Sequence, residues 1–246
     1  MVNKALGQHW LKNREILDEI AVEAGEGGLC IEIGPGLGTL TSSLLKRFEK
    51  VLAAEFDQKL AKNLPKSFPG KNLEVVNEDF LRFDLEKIEQ PYVVAGNIPY
   101  YITSPIVEKV LIAKNRPTKV VLLIQKEVAE RIADEKETVL SLFVKNHADV
   151  RLGPVVKKEE FTPPPKVDSQ VIILEPKEPL VSDKVFKMIK LGFVAPRKKL
   201  IHNLELLEAK EKLLSIFGEL NISVDARPGD LSIVDWKELC NKICDK

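Results

Sequence analysis

The chain reads Glu32-Ile33-Gly34-Pro35-Gly36-Leu37-Gly38-Thr39-Leu40-Thr41 directly after an apolar run at 29–33. The glycines let the backbone pass close to a ligand, and a helix that starts here presents free amide groups. The spacing differs from the dinucleotide-binding fingerprint, because Thr39 occupies the place of its third glycine. The acid Glu32 before the first glycine suits a ligand that carries an ammonium group. A tight turn from strand to helix, without a ligand, is the alternative interpretation.

Around this turn the chain alternates between strand-like and helix-like runs. The strand-like runs are 29–33, 50–55, 73–76, 92–96 and 119–124, and the helix-like runs are 15–24, 39–47, 57–64, 104–113 and 126–133. This alternation predicts a parallel sheet with helices on both faces. Two more strand-like runs, 148–156 and 168–175, flank a rigid Phe161-Thr162-Pro163-Pro164-Pro165 and predict an antiparallel edge. The predicted fold class is therefore α/β and Rossmann-like.

After Glu175-Pro176-Lys177 the pattern is helical to the end of the chain. Ser182 is a candidate cap for a helix at 183–194, and Ser232 with Asp235 resembles a capping box for 233–244. We therefore predict two domains. Residues 1–176 form the N-terminal arm and the sheet domain, and residues 177–246 form a small helical domain.

Basic residues cluster in two zones, although lysine plus arginine and aspartate plus glutamate both number 37. Residues 1–14 carry Lys4 and Lys12 and no acid, and 177–204 carry an excess of base that includes Arg197, Lys198 and Lys199. Such zones suit phosphate contacts even in a chain without net charge. Charged helix faces are often only solvated, so charge alone leaves both interpretations open.

The cysteines Cys30, Cys240 and Cys244 have neither a disulfide framework nor a metal-ligand spacing. The N-terminus lacks the apolar segment of a signal peptide, and the longest aliphatic run, 120–124, is too short to span a bilayer. We expect a soluble cytoplasmic protein that binds no metal and no membrane.

Polar residues follow the ends of successive predicted strands. Glu55 lies about 20 residues after Gly34, where an acid accepts the hydroxyl groups of a ribose. Asp79 follows the third strand and suits an adenine amine. After the fourth strand, Gly96-Asn97-Ile98-Pro99-Tyr100-Tyr101 offers an amide side chain, a proline carbonyl and an aromatic face, which suit a planar base amine. Solvated loop acids and an ordinary turn are the alternatives, but the series fits one nucleoside cofactor beside one acceptor.

Two further stretches lie near the same strand ends. Phe161, held before the triple proline, is a candidate for the second face of a base sandwich with Tyr100, although a lone Phe is usually a core residue. Gln125–Arg131 begins a helix after the fifth strand and is as consistent with an ordinary helix start as with binding.

Together these motifs resemble the ribosomal RNA adenine dimethyltransferases, the family that includes the kasugamycin-sensitivity enzyme of the small subunit and the erythromycin-resistance enzymes of the large one. The resemblance rests on Leu6-Gly7-Gln8-His9-Trp10-Leu11, Glu32–Thr41, Glu55-Phe56-Asp57, Asp79, Asn97–Tyr100, Gln125–Arg131 and Phe161–Ser169. Pro163–Ser169 and Arg227–Ser232 resemble the small-subunit branch more closely. Pro196 departs from the family pattern, because it replaces the first Arg of a Phe-x-x-Arg-Arg-Lys run.

The resemblance implies that S-adenosylmethionine is the cofactor and that the enzyme dimethylates the exocyclic amine of adenines in small-subunit rRNA during ribosome biogenesis. The implied cofactor-binding residues are His9, Leu11, Gly34, Gly36, Glu55, Asp79 and Asn97. The residues implied to hold the target adenine are Asn97, Pro99, Tyr100 and Phe161.

For RNA contacts we predict Lys4, Lys12, Arg197, Lys198 and Lys199, and we expect a monomer. Two alternatives remain: a large-subunit enzyme of the resistance type, and an RNA-binding ribosome-assembly factor without catalysis. A nicotinamide dehydrogenase is disfavoured, because Thr39 breaks the fingerprint and no residue set for hydride transfer is visible.

Overall fold

The computed structural model describes residues 8–244, which form strands and helices in alternation. The strands are β1 Trp10–Leu11, β2 Leu29–Ile33, β3 Lys50–Ala54, β4 Leu73–Val76, β5 Tyr92–Asn97, β6 Lys119–Gln125, β7 Ala148–Val156, β8 Phe161–Thr162 and β9 Ser169–Pro176. The α-helices are α1 Arg14–Ala24, α2 Thr39–Leu44, α3 Gln58–Asn63, α4 Thr103–Ile112, α5 Lys126–Ala133, α6 Val139–His147, α7 Asp183–Gly192, α8 Leu200–Leu204, α9 Lys210–Glu219 and α10 Ile233–Cys244.

Seven strands form one sheet in the order β4-β3-β2-β5-β6-β9-β7. The pairs β3–β4, β2–β3, β2–β5 and β5–β6 are parallel, and β9 pairs antiparallel with β6. All five residues of β2 are buried, as expected for a parallel strand covered by helices on both faces. The predicted α/β fold with an antiparallel edge is thus confirmed. The strand order reverses between β2 and β5, which is where ligands bind in open α/β sheets.

A second, two-stranded sheet joins the N-terminal arm to the segment before the triple proline. Here β1 pairs antiparallel with β8, so that Trp10 lies opposite Thr162 and Leu11 lies opposite Phe161. The arm is also held by a hydrogen bond of 3.1 Å from the Lys12 amide to the Glu160 carbonyl. This ribbon is not predictable from the sequence, because two-residue strands carry no readable periodicity.

The residue contacts divide the chain into two compact units. The first contains residues up to Glu130 together with Asp149–Pro176, and the second contains Arg131–Ala148 and the residues from Lys177 onward. The predicted second domain, 177–246, differs from the observed unit by this inserted segment. The cause is the apolar face of α6, whose buried Leu142 belongs to the same hydrophobic core as Trp236 and Phe217. No helix formed by residues 8–244 is long and apolar enough to cross a membrane.

Both predicted caps of the C-terminal helices lie where the sequence places them. Ser232 and Asp235 exchange hydrogen bonds before α10: the Asp235 amide donates to Ser232 Oγ at 3.2 Å, and the Ser232 amide donates to Asp235 Oδ2 at 2.8 Å. This is the reciprocal pattern of a capping box. Ser182 occupies the N-cap position of α7, but its side chain makes no capping hydrogen bond.

Candidate active site

A cavity opens in the first unit at the carboxyl ends of β2, β3 and β5. It is bordered by the N-terminal arm, the glycine turn after β2 and the loops that follow β3, β4 and β5. The cavity brings together the predicted residues His9, Gly34, Gly36, Glu55, Asp79, Asn97, Pro99 and Tyr100. They are distant in sequence, and they meet because the carboxyl ends of parallel strands lie at one edge of the sheet.

Glycine is required in the turn for two separate reasons. Gly34 has a φ of 59° and no atom within 4 Å of the position of a β-carbon, so its backbone faces open space. Gly38 has a φ of 82°, and a β-carbon there would lie 2.6 Å from Leu64 Cδ1 and 2.8 Å from Phe68 Cε2. Gly34 therefore leaves room at the cavity, whereas Gly38 allows the turn to pack against residues 64–68.

Glu55 joins the end of β3 to the glycine turn. Its side chain is only 5% exposed, and it accepts hydrogen bonds from the Gly36 amide at 2.9 Å and from the Asp57 amide at 2.8 Å. Burial raises the pKa of the Glu55 carboxyl, while the two amide donors oppose that shift. The carboxylate is thus fixed at the cavity by backbone groups on both sides.

Glu32 is the second buried acid at the cavity. Its side chain is 1% exposed, and Oε2 has no hydrogen-bond partner within the described part of the chain. Burial raises the pKa of Glu32 to about 8, and the nearby Glu55 charge adds to this effect while Thr41 opposes it. A buried carboxylate oxygen without a partner, next to a second acid, makes this part of the cavity favourable for a cation. Glu32, Glu55 and Asp79 are called the acidic wall below.

Asp79 begins a turn that Lys109 holds in place. The Asp79 carboxylate accepts a hydrogen bond of 2.9 Å from the Leu81 amide. The Lys109 ammonium, on α4, donates to the Leu81 carbonyl at 3.0 Å and to the Phe83 carbonyl at 2.5 Å. Lys109 therefore ties the loop that carries Asp79 to the helix that follows the Asn97 segment.

A second group of lining residues, called the amide wall, is defined as Asn97, Pro99, Tyr100 and Tyr101. Asn97 Nδ2 donates to the His9 carbonyl at 3.0 Å, which leaves Oδ1 as the remaining polar atom of that side chain. His9 is in turn held by a contact of 2.7 Å between Nδ1 and the Pro163 carbonyl. The arm thus orients the amide of Asn97, and the segment with the triple proline orients the arm.

Tyr100 is fixed through its hydroxyl group. The Oη atom lies 2.7 Å from Ser169 Oγ, and the ring lies nearly parallel to His9, with centroids 6.3 Å apart. Burial raises the pKa of Tyr100, and the bond to Ser169 opposes this shift. The Pro99 carbonyl accepts a hydrogen bond of 3.2 Å from the Ile102 amide, so one of its two lone pairs remains for a ligand.

Two predicted site residues lie outside the cavity. Leu11 is 0% exposed and Phe161 is 3% exposed, and both belong to the hydrophobic core of the first unit. They are paired across the ribbon of β1 and β8, which turns both side chains into the core. In this structure, therefore, neither Leu11 nor Phe161 contributes a wall to the cavity.

The residues that line the cavity without a predicted role include Trp10, Phe56 and Tyr101. A β-carbon at Gly36 would lie 3.1 Å from Trp10 Nε1, so the indole covers the glycine turn. Phe56 and Tyr101 are 63% and 65% exposed, which is unusual for large aromatic side chains. Phe56 directly follows Glu55 and Tyr101 directly follows Tyr100, and this adjacency is the sequence signal for their place at the cavity.

The predicted RNA-binding residues are exposed wherever they are described. Lys12 lies on the surface of the first unit, and Arg197 and Lys198 lie on the surface of the second. Lys199 is also exposed and forms an ion pair with Asp225. Lys4 lies outside the described residues. Across residues 8–244 there is no cluster of three or more His, Cys, Asp or Glu residues that could hold a metal ion.

The sheet order and the cavity define a Rossmann-like methyltransferase fold. Among solved structures, a dimethyladenosine transferase from Plasmodium falciparum is similar with a TM-score of 0.80 and 29% identity over 94% of this chain and 96% of that one. The 23S rRNA methyltransferase ErmE is similar with a TM-score of 0.79 and 27% identity over 96% of this chain and 100% of that one.

Sequence comparison narrows this class to one family. The family model for ribosomal RNA adenine dimethylase matches residues 1–245. The ribosomal RNA small subunit methyltransferase A of Trichormus variabilis is 40% identical over 97% of this chain and 96% of its own length. Its counterpart in Ligilactobacillus salivarius is 36% identical over 98% and 89%. The chain therefore belongs to the ribosomal RNA adenine dimethylase family.

Proposed function

We propose that this protein transfers methyl groups from S-adenosylmethionine to the exocyclic amine of adenines in small-subunit ribosomal RNA, giving dimethyladenosine during ribosome biogenesis. The observation that carries the proposal is the pairing of two unlike walls in one cavity: buried acids on one side, and an oriented amide with an aromatic ring on the other. Relatives named ribosomal RNA small subunit methyltransferase A support the small subunit as the source of the RNA.

The acidic wall fits S-adenosylmethionine, which supplies a methyl group on a positively charged sulfonium centre. Glu55 is fixed by two backbone amides and is suited to accept from ribose hydroxyls. The Oε2 atom of Glu32 is buried without a partner, which is energetically costly. A bound positive charge would remove that cost. Gly34 leaves open space beside these acids, and Phe56 offers an apolar face next to Glu55.

The amide wall suits the target adenine. Asn97 Oδ1 and the Pro99 carbonyl accept the hydrogens of the amine and orient its lone pair, and such positioning supplies much of an enzyme's rate. Tyr100 supplies one stacking face, which offsets the cost of unstacking the base. An unpaired target reduces that cost further. No strong general base is required, since a methylated ammonium is acidic enough to lose its proton to water.

The basic residues Lys4, Lys12, Arg197, Lys198 and Lys199 are proposed to contact RNA phosphates. Each phosphate that a basic residue neutralises adds to the salt dependence of RNA binding. Removing that residue therefore lowers the salt dependence. Replacing Arg197, Lys198 and Lys199 with Ala is therefore expected to flatten the dependence of RNA affinity on salt. A slope equal to that of the wild type removes this zone from the interface.

The experiment that tests the function is methylation of small ribosomal subunits from a host that lacks the modification. We expect dimethyladenosine in small-subunit rRNA with the wild type and none with Asn97→Ala. Asn72→Ala is the matched control, because Asn72 is exposed and donates its amide to a backbone carbonyl, that of Glu49 at 2.8 Å. A turnover of Asn97→Ala equal to that of the wild type contradicts the mechanism.

The two alternatives make different predictions in the same assay. The similarity to ErmE favours testing large subunits in parallel, and modification of those subunits alone identifies a large-subunit enzyme. A non-catalytic assembly factor gives no modification and no calorimetric signal with S-adenosylmethionine. We further propose that the enzyme acts in the cytoplasm as a monomer. Sedimentation of the purified protein tests its oligomeric state.

A further inference from the structure

Tyr101 is the most exposed aromatic side chain at the cavity. It is 65% exposed and lines the cavity beside Tyr100. Within residues 8–244 its hydroxyl group has no hydrogen bond and its ring has no aromatic neighbour. Tyrosine is common at interfaces, so an exposed tyrosine ring beside a binding cavity is available for contact with a bound partner.

The local backbone separates the two tyrosine rings. Tyr100–Ile102 forms one turn of 3₁₀-helix, in which successive side chains diverge by about 120° because there are three residues per turn. The hydroxyl group of Tyr100 is held by Ser169, so that ring keeps its half-buried position. The rings of Tyr100 and Tyr101 therefore point in different directions, so the two rings do not stack on the same base.

We propose that Tyr101 stacks on the nucleobase next to the target adenine and so holds the unpaired RNA strand beside the cavity; this rests on the proposed function. In this proposal the target adenine sits against Asn97 and Tyr100, and the neighbouring nucleotide lies on the exposed ring of Tyr101. Stacking is the interaction that suits an isolated aromatic residue here, because every base has a π-face. Tyr101 is then a residue that binds substrate and takes no part in the methyl transfer.

Affinity for a short unpaired RNA tests the contact directly. The probe is a fluorescent hexanucleotide with one adenine, made also with an abasic site on its 5′ or its 3′ side. Tyr101→Ala is expected to weaken binding of the intact probe by about 5- to 150-fold, the range that corresponds to loss of one stacked base. One of the two abasic probes is expected to bind the wild type more weakly than the intact probe does, by the same factor. Tyr101→Ala is expected to bind that abasic probe and the intact probe equally. Equal effects of Tyr101→Ala on intact and both abasic probes overturn the proposal.

Variants that keep part of the side chain separate stacking from bulk. Tyr101→Phe is expected to bind like the wild type, because the hydroxyl group has no partner in the described chain, whereas Tyr101→Leu keeps apolar volume and loses the π-face. Ile112→Ala is the matched control, since Ile112 is 63% exposed and does not line the cavity. Full affinity of Tyr101→Leu contradicts stacking.

Turnover on small ribosomal subunits distinguishes a failure of this proposal from a failure of the proposed function. With Tyr101→Ala we expect a higher KM for the subunit, an unchanged kcat and an unchanged Kd for S-adenosylmethionine. A reduced kcat at unchanged KM overturns the stacking role. If the wild type itself methylates no RNA, the proposed function fails as well.

Discussion

The acidic wall and the amide wall of the cavity differ in how they are held. Glu32 and Glu55 are 1% and 5% exposed, and Glu55 is fixed by backbone amides of its own neighbourhood. Asn97 is fixed by the N-terminal arm, and Tyr101, beside it, is 65% exposed. A closed, acidic wall suits a small cation, whereas an open wall with aromatic faces suits part of a large substrate. The difference separates cofactor binding from substrate binding, so variants of each wall are expected to change different constants.

The largest effect is expected from Glu55→Ala. This change removes the ribose acceptor and also the group that holds the Gly36 amide. Loss of two hydrogen bonds to a charged group corresponds to about 3 kcal/mol, or roughly 100-fold in the Kd of S-adenosylmethionine. Calorimetry measures this constant. Glu74→Ala is the control, because the exposed Glu74 carboxylate on β4 pairs with Lys50 at the start of β3. A change in RNA affinity with unchanged cofactor affinity contradicts the division between the walls.

Glu32→Gln is expected to remove a pH dependence of cofactor binding. The pKa of Glu32 is raised to about 8, so the acid is protonated below that pH and a bound cation favours its ionised form. Cofactor affinity of the wild type therefore rises with pH up to about 8 and then levels off, while that of Glu32→Gln stays flat. Above pH 8 the variant is expected to bind roughly tenfold more weakly, as it lacks one charge at short range. Parallel pH profiles of the two proteins rule out this role.

Glu32→Gln is expected to weaken cofactor binding but to raise the stability of the fold at high pH. The folded pKa of about 8 lies above the ordinary value of 4.5, so the unfolded chain loses its proton first as the pH rises. Stability of the wild type falls between these two values, by up to roughly 1.4 kcal/mol per pH unit. Urea unfolding is expected to show Glu32→Gln as more stable at pH 8 and nearly equal to the wild type at pH 4. A stability difference that is independent of pH contradicts the assignment.

Lys109→Met is expected to weaken the acidic wall indirectly. Without the ammonium, the carbonyls of Leu81 and Phe83 lose their donor, and the loop that carries Asp79 is held less firmly. If the looser loop weakens the free energy of cofactor binding by about 1 kcal/mol, the Kd of the cofactor rises roughly fivefold. Lys114→Met is the control, because Lys114 is exposed and pairs with Glu86 on the surface. Equal cofactor affinities of the two variants remove Lys109 from the site.

The smallest effect is expected from Tyr100→Phe in the amide wall. The ring remains, but Ser169 loses its partner, and we expect about 1 kcal/mol lower stability and a few-fold lower kcat/KM. Cofactor affinity stays unchanged. Tyr92→Phe is the control, since it loses a comparable bond of 2.6 Å to the Asn115 carbonyl away from the cavity and changes stability alone. Equal activity of both variants contradicts a role for the hydroxyl group of Tyr100 in positioning the ring.

The sequence by itself determined the sheet and most of the cavity. Strands β2 to β6 follow from short, mostly apolar runs, and Gly34, Glu55, Asp79 and Asn97 then meet because parallel strands end at one edge. The motifs also identified the family, since they combine residue types that packing alone does not require at those positions. These features are local in the sequence, or they follow from a general rule of α/β topology.

Tertiary structure alone decided which of the remaining residues face the cavity. Leu11 and Phe161 are buried because their short strands pair with each other over a long sequence separation, and Tyr101 is exposed because its 3₁₀ turn diverges from Tyr100. Likewise, Lys109 reaches the Asp79 loop only after α4 has packed on the sheet. Contacts between distant segments leave no periodic signal in either segment, so their consequences become visible only when the chain is folded.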